Sequence, residues 1–229
     1  MTAQAHAPPR ALIVVAKAPA PGRTKTRLCP PLDAETAAAL AACFLRDTLG
    51  LVRGVPGVRR TVAYLPEDAE GYFRALAPDM DLAPQRGADL GERLANLLGD
   101  ALARGAGQAV VMASDSPSLP PAYLAAAFAA LAGPADLVLG PCDDGGYYLL
   151  GLKRAEPRLL REVPLSTPTV ARDTLALAEG LGLRAALLPT WYDVDTAGEL
   201  ARLAGELRAA PPEVCPATRR LLAQLGPLL

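Results

Sequence analysis

Residues 11–28 read ALIVVAKAPAPGRTKTRL, a run of six apolar residues that continues directly into a loop with four basic side chains. A short apolar run with β-branched members predicts a buried strand, which is typical of a sheet covered by helices. The prolines and Gly22 then predict an open loop, whose backbone amides can face an anion. This stretch therefore predicts an α/β fold that presents positive charge at the end of its first strand.

Strand-like and helix-like segments alternate along the rest of the chain. Further strands are predicted at residues 60–65, 81–85, 108–114, 136–141, 146–152 and 183–189. Helices are predicted at residues 33–53, 67–76, 89–104, 120–131, 167–181, 195–207 and 212–225. This alternation predicts a single-domain, three-layer αβα architecture with a mixed, mostly parallel sheet, and the helix-poor residues 136–152 predict a local antiparallel insertion. We expect that domain over residues 11–229, after a disordered tail at residues 1–10.

The composition excludes several classes of protein. The 229 residues are 51% hydrophobic and 21% charged, which is typical of a globular chain with one buried core. A net charge of -1 and a pI of about 5.9 argue against a nucleic-acid partner bound through bulk positive charge. No apolar run approaches the roughly 20 residues of a membrane span, and the N-terminus lacks the apolar segment of a secretory signal. We therefore expect a cytoplasmic protein without a membrane partner.

Histidine and cysteine are too sparse for several kinds of catalysis. The chain has one histidine, His6, in the N-terminal tail, so catalytic triads and the commonest zinc sites are excluded. The four cysteines are scattered without a CxxC pair, as expected of reduced thiols: Cys29, Cys43, Cys142 and Cys215. A nucleophilic role for Cys142 is the weaker alternative. Acid, base or metal chemistry must otherwise use Asp, Glu, Lys, Tyr or Arg.

Distinctive loops follow four of the predicted strands, where ligands bind in sheets of this kind. The first loop, residues 17–28, places Arg23, Lys25 and Arg27 close together, and guanidinium and ammonium groups suit phosphate oxygens. Its spacing is not that of a Walker A loop. The alternative is a solvated basic turn. The position after the first strand favours a site for phosphate or pyrophosphate.

Acidic residues stand at two other strand ends. Asp115 follows the buried strand at 108–114, and one carboxylate there suits Mg²⁺ when a nucleotide supplies further oxygens. The alternative is that Asp115 caps the next helix. Asp193 and Asp195 alternate, so we expect only one of them to face the site. A helix cap at Asp195 or Thr196, with Glu199 completing a capping box, competes with a metal role there.

Two glycine-containing stretches complete the set. GPCDDGGYYLLGL, residues 140–152, has two aspartates, then Gly145 and Gly146, then two tyrosines, and we expect one tyrosine to point into the core and the other to point out of it. Ordinary turn chemistry is the alternative for its Asp-Gly segment. QRGADLGERL, residues 85–94, opens a helix whose N-terminus suits a nucleotide base or phosphate.

These motifs resemble the nucleotide-diphospho-sugar transferase superfamily of the GT-A, Rossmann-like fold. The resemblance is to its bacterial branch of rSAM-associated or selenodomain-associated glycosyltransferases. It extends to 2-phospho-lactate guanylyltransferase and molybdenum cofactor guanylyltransferase. The motifs follow the order of the family from residue 11 to about residue 205: KAPAPGRTKTRL at 17–28, DLGERL at 89–94, SDSPSLP at 114–120, DDGGYYLLGL at 143–152, LSTPTV at 165–170 and DVDTAGEL at 193–200.

The resemblance implies a role for each matched residue. Phosphate contacts and catalysis are implied for Arg23, Lys25 and Arg27, and a divalent metal, Mg²⁺ or Mn²⁺, for Asp115 with Asp195 or Asp193. The nucleotide side would include Lys17, Gly22, Gln85, Gly87 and Arg93. The acceptor side would include Asp144, Gly145, Gly146, Tyr147, Ser166 and Thr167.

One departure from the family bears on the reaction. Metal-dependent glycosyltransferases of this fold usually carry an Asp-x-Asp pair at the strand end where this chain has Asp115-Ser116-Pro117. A single carboxylate is more similar to the nucleotidyltransferases, and three cations suit a leaving pyrophosphate. We expect nucleotidyl transfer from a nucleoside triphosphate to a small phosphorylated or hydroxylated acceptor. Glycosyl transfer from a nucleotide-sugar and non-catalytic nucleotide binding are the alternatives, and the oligomeric state stays open.

Overall fold

The computed structural model describes residues 9–225, in which a seven-stranded sheet has the order β3-β2-β1-β4-β6-β5-β7. The strands are β1 Arg10–Lys17, β2 Val58–Leu65, β3 Asp81–Pro84, β4 Gln108–Ala113, β5 Leu137–Pro141, β6 Tyr147–Leu152 and β7 Ala185–Leu187. β6 runs antiparallel to both of its neighbours, and the other pairs are parallel. The predicted α/β fold with a mixed, mostly parallel sheet is confirmed. The predicted tail at residues 1–10 lies almost wholly outside the described residues.

Helices connect the strands and cover both faces of the sheet. They are α1 Ala34–Arg53, α2 Glu70–Leu76, α3 Leu90–Ala103, α4 Pro121–Ala132, α5 Arg158–Arg161, α6 Val170–Gly180, α7 Ala197–Ala209 and α8 Pro216–Leu225, with 3₁₀ turns at Thr26–Leu28 and Glu67–Ala69. Asp33 caps α1 by accepting a hydrogen bond from the Thr36 amide at 2.7 Å, and Asp89 caps α3 in the same way. These short polar side chains satisfy amides that a helix start leaves free.

Alternate side chains of β1 enter two different apolar layers. Leu12 and Val14 pack with residues of α1, α2 and α4, whereas Ala11 and Ile13 pack with residues of α3, α5 and α6. A third cluster joins α1 to α7 and α8. Within residues 9–225, no helix is long and apolar enough to cross a membrane.

Three helices depart clearly from the sequence-based prediction. α6 begins at Val170 instead of Thr167, because Ser166 has a left-handed backbone with φ 62° and the chain turns before the helix starts. α8 begins at Pro216 instead of Pro212, after Cys215 with φ 50°. α5 is absent from the prediction, since four residues are too few to show a helical period.

The antiparallel β6 determines where the loops meet. Because β6 starts where β4 ends, with Leu149 opposite Met112, its first residue reaches the carboxyl edge of the parallel strands. The turn from β5 to β6 lies at the same edge, and its Cys142 pairs with Trp191 from the segment after β7. The ends of β1, β4, β5 and β7 therefore share one edge of the sheet.

Candidate active site

An open cavity of about 860 Å³ lies at this carboxyl edge. Its wall is built from the loops after β1, β3 and β4, the β5–β6 turn, the segment before α6 and the segment before α7. Fourteen of the residues predicted for the site line it: Lys17, Arg23, Lys25, Arg27, Gln85, Arg93, Asp115, Asp144, Gly146, Tyr147, Ser166, Thr167, Asp193 and Asp195. The other three, Gly22, Gly87 and Gly145, do not line the cavity, and each has a positive φ in a loop near it.

Lys25 lies at the centre of the acidic part of the cavity. Its Nζ is 2.5 Å from Asp115 Oδ1 and 2.7 Å from Asp195 Oδ1, and its side chain is only 6% exposed. Lys25 has φ 50° and precedes the 3₁₀ turn at Thr26–Leu28, and the Thr24 side chain holds the loop through two hydrogen bonds to Ala20. The loop after β1 thus directs one cation inward, onto two carboxylates.

Electrostatics keep this buried lysine charged. Burial lowers the pKa of Lys25, but attraction from Asp115 and Asp195 and their hydrogen bonds outweigh it, so the pKa lies above its ordinary value. Arg27 adds a weaker contact, with Nη1 3.5 Å from Asp195 Oδ2 and a side chain that is 67% exposed. Arg27 therefore remains available to a ligand, whereas Lys25 is already bound to protein.

Asp193 and Asp195 both line the cavity, which differs from the expectation that only one of them faces the site. Their surroundings are different. Ser116 Oγ donates a hydrogen bond of 2.5 Å to Asp193 Oδ1, and the Val194 amide donates to the Asp115 carbonyl at 2.9 Å. Burial and the neighbouring Asp115 charge raise the pKa of Asp193 to about 6, against the hydrogen bond from Ser116. Asp195 instead faces the Lys25 ammonium.

The helix cap and the site use neighbouring residues without competing. Thr196 accepts from the Glu199 amide, and Glu199 Oε2 accepts from the amides of Asp195 and Thr196 at 2.7 Å each. This capping box fixes the start of α7 through Thr196. The Asp195 carboxylate is therefore free to enter the cavity.

The nucleotide-side residues fall into two groups. Gln85 Nε2 donates both of its hydrogens to backbone carbonyls, those of Ala16 and Ala63, so its amide group braces β1 and β2 and keeps no N–H for a base. Arg93, in contrast, lines the cavity, and its enclosed Nε lacks a hydrogen-bond partner within residues 9–225. Gly87 packs against the Arg93 amide, and a Cβ there would lie 2.8 Å from that nitrogen.

The two tyrosines of the β6 start divide as expected. Tyr148 is buried in the core, and its hydroxyl donates to the Pro189 carbonyl at 3.0 Å. Tyr147 lines the cavity, and its enclosed hydroxyl has no hydrogen-bond partner among the described residues. Burial raises the pKa of Tyr147, so its hydroxyl stays protonated and can donate to a ligand.

Two findings are not evident from the sequence. Ser116 positions Asp193, but in the sequence it resembles an ordinary loop residue. The one sequence signal for its role is its place beside Asp115 at a strand end. Cys142 is buried, and burial together with nearby carboxylates raises the pKa of its thiol far above the ordinary range. Cys142 is also not among the residues that line the cavity, so burial and position both argue against a Cys142 nucleophile, which stays the weaker alternative.

The resemblance implies a divalent metal, and the acidic side chains suit one. Asp115 and Asp195 place oxygens around a single positive charge, and hard carboxylate oxygens are the ligands that Mg²⁺ prefers. The positive charge between them is the Lys25 ammonium. Within residues 9–225, no group of three or more His, Cys, Asp or Glu side chains forms a ready-made metal site. A metal here would thus need ligands from a substrate.

Comparisons with known proteins agree with this fold. A family profile described as "Uncharacterized protein conserved in bacteria (DUF2064)" matches residues 48–167, more than half of the chain. No curated protein matches. The solved structure of a candidate nucleotide-diphospho-sugar transferase from Desulfovibrio desulfuricans G20 is 29% identical, with a TM-score of 0.89 and 96% of each chain covered.

More distant structures share the fold alone. CMP:2-keto-3-deoxy-manno-octonic acid synthetase, solved with CTP, is 13% identical with a TM-score of 0.57, covering 88% of this chain and 99% of that one. Rv0371c from Mycobacterium tuberculosis H37Rv, solved with manganese, is 19% identical with a TM-score of 0.50, covering 86% of this chain and 98% of that one.

Proposed function

Because the chain belongs to the DUF2064 family of bacterial proteins and to the nucleotide-diphospho-sugar transferase superfamily, we propose that it is a nucleotidyltransferase. It would move the nucleotidyl group of a nucleoside triphosphate to a small phosphorylated or hydroxylated acceptor. The observation that carries the proposal is the pair Asp115 and Asp195 around one positive charge, in a cavity that also exposes Arg23 and Arg27. The residues that line the cavity run from Val15 to Asp195 and would belong to a single transferase domain.

Basic side chains without an acidic partner form the part of the site that would bind an anion. Lys17, Arg23 and Arg93 line the cavity, and within the described part of the chain none of them forms an ion pair. Together with Arg27 they would bind triphosphate oxygens, since charge-assisted contacts to phosphate are short and strong. This surplus of unpaired positive charge supports a polyanionic substrate.

The chemistry would be an in-line displacement at the α-phosphorus. An acceptor oxygen forms the new bond to phosphorus while the bond from the α-phosphorus to the bridging oxygen breaks, and pyrophosphate leaves with that electron pair. A hydroxyl acceptor also loses its proton to solvent or a carboxylate, whereas a phosphate acceptor has none to lose. Arg23 and Arg27 would hold the leaving charge.

A divalent metal bound by Asp115 and Asp195 would neutralise phosphate charge at this centre. The chain itself would supply orientation. Tyr147 and Thr167 would border the acceptor, and Arg93 would hold the nucleotide side. Most of the rate gain would therefore come from positioning and charge, without a covalent intermediate.

Glycosyl transfer is the second candidate, because the structure at 29% identity is a candidate nucleotide-diphospho-sugar transferase. The two reactions differ in their leaving group. Pyrophosphate release from a nucleoside triphosphate would support nucleotidyl transfer, and nucleoside diphosphate release from a nucleotide-sugar would support glycosyl transfer. We would incubate the protein and Mg²⁺ with both donor classes and a pool of small phosphorylated and hydroxylated acceptors, and measure both products.

Asp115→Asn tests the metal role directly. We expect turnover to fall at least about a hundredfold with the fold intact, since the change keeps the side-chain shape and Lys25 still pairs with Asp195. Asp81→Asn is the control, because Asp81 pairs with Arg59 at the surface, away from the cavity. Near-normal turnover of Asp115→Asn would refute the role, and calorimetric binding of nucleotides without turnover would favour a non-catalytic protein.

A further inference from the structure

Lys25 is enclosed and paired with carboxylates, although a lysine that only binds phosphate could stay exposed until its ligand arrives. Its side chain is 6% exposed, and it contacts two carboxylates at 2.5 and 2.7 Å. The other cations of the same loop behave differently, since Arg27 reaches only one carboxylate at 3.5 Å and stays 67% exposed. Lys25 therefore occupies the point where the two carboxylates would hold a metal.

From this geometry we infer that Lys25 holds the place of the divalent cation in the nucleotide-free protein, and that metal and nucleotide bind as a coupled pair. The inference rests on the proposed function, because it takes the triphosphate as the anion that receives Lys25. Lys25 thus has two alternative partners, the carboxylates of Asp115 and Asp195 or the phosphate oxygens.

Charge balance explains the coupling. A metal ion that entered alone would displace the ammonium from Asp115 and Asp195 and leave it enclosed without a counter-ion, which is strongly unfavourable. When a triphosphate enters with the metal, its oxygens accept the ammonium and also complete the metal coordination. By linkage, the metal must raise the affinity for nucleotide by the same factor by which the nucleotide raises the affinity for metal.

Mn²⁺ binding without nucleotide tests the inference. Free Mn²⁺ would be measured by electron paramagnetic resonance in titrations of the wild type, Lys25→Met and Arg27→Met. Methionine keeps the length of lysine but removes its charge, so we expect Lys25→Met to bind Mn²⁺ roughly tenfold more tightly than the wild type. Arg27→Met removes the same charge without freeing both carboxylates, and its affinity should change less than about threefold.

Two outcomes would overturn the inference. One is an unchanged or weaker Mn²⁺ affinity in Lys25→Met, and the other is an equal gain in Arg27→Met, which would reduce the effect to net charge. Neither depends on turnover, so a failure of the proposed reaction would leave this comparison readable.

The wild type offers a second measurement in case Lys25→Met does not fold. The chain has three lysines, Lys17, Lys25 and Lys153, so the ¹⁵N spectrum of its lysine ammonium groups is simple. We expect the signal of the enclosed Lys25 ammonium to persist when Mg²⁺ is added alone and to shift when Mg²⁺ is added with inorganic triphosphate. A shift with Mg²⁺ alone, or none with both, would contradict the inference.

Discussion

Gly145 joins two of the segments that surround the cavity, the β5–β6 turn and the segment before α6. It has φ 86°, and its carbonyl accepts a hydrogen bond from the Ala171 amide at 3.1 Å. A Cβ at this position would lie 1.8 Å from the carbonyl oxygen of Pro168. Only glycine allows this approach, so the residue holds the β5–β6 turn against the start of α6 without entering the cavity.

Gly145→Ala should therefore be more harmful than its backbone angle alone suggests. Gly182 is a matched control, since it has φ 70° but a Cβ there would have no atom within 4 Å. We expect Gly182→Ala to lower the free energy of unfolding by about 1 kcal/mol, from the left-handed backbone. Gly145→Ala should lower it by about 3 kcal/mol, because overpacking adds to the same term. Urea denaturation would measure both losses, and equal losses would show that the close contact with Pro168 does not add to the cost of Gly145→Ala.

At the scale of elements, Asp47 attaches the last helix to the first. It lies in α1, is 7% exposed, and accepts hydrogen bonds from the amides of Ala217 and Thr218 at 2.9 and 2.8 Å and from the Thr218 hydroxyl at 2.6 Å. The carboxylate thus caps α8 from another helix, where its charge also suits the positive helix end. Three donors depend on this one side chain.

Asp47→Ala should loosen α8 more than the loss of one of its three donors. Because it leaves three enclosed donors without partners, we expect a loss of about 3 kcal/mol in the free energy of unfolding. Thr218→Ala removes only one of the donors and should cost about 1 kcal/mol. Hydrogen exchange at residues 216–225 should rise in Asp47→Ala and stay near the wild-type rate in Thr218→Ala. Similar exchange in both variants would mean that apolar packing alone holds α8.

Elements that depend on local sequence were predictable, and those that depend on distant contacts were not. Asp33 and Asp89 cap their helices as the sequence indicates, because a cap needs only residues three positions away. Thr167-Pro168 has the same local appearance of a helix start, yet α6 begins at Val170. Pro168 stays in the loop where it meets Gly145, a contact between separate parts of the chain that local propensity does not encode.

The site was predictable in its location and less so in its internal pairing. Ligand loops gather at the carboxyl edge of a parallel sheet, so the strand-end positions of Arg23, Asp115 and Asp195 placed them in one cavity. The burial of Lys25 was not predictable, because its partner Asp195 is 170 residues away and a basic loop has the appearance of an exposed one. Which cation of such a loop turns inward depends on which one the fold brings next to distant carboxylates.

At the scale of the whole molecule, arginine–carboxylate pairs lie near both edges of the sheet. Arg53 Nη2 is 2.8 Å from Asp79 Oδ1 just before the edge strand β3, and Arg184 Nε is 2.9 Å from Asp136 Oδ2 between β5 and the edge strand β7. The hydrogen bonds from Arg53 lower the pKa of Asp79 to about 2, and those from Arg184 lower the pKa of Asp136 below its ordinary value. Both edges are thus sensitive to acid.

The sign of that sensitivity follows from proton linkage. A carboxyl with a lowered pKa in the folded state stabilises the protein above its unfolded pKa, near 4, and loses that contribution as the pH falls through its folded pKa. For Asp79, which is 48% exposed, solvent screening limits the contribution to at most about 1 kcal/mol.

The double change Asp79→Asn, Asp136→Asn should therefore lower the free energy of unfolding at pH 7, and the difference from the wild type should shrink between pH 4 and pH 2. Denaturant titrations across that range would check it, with Asp68→Asn as an exposed control that no described arginine pairs with. A difference that stays constant with pH would show that the lost contacts act through packing and not through charge.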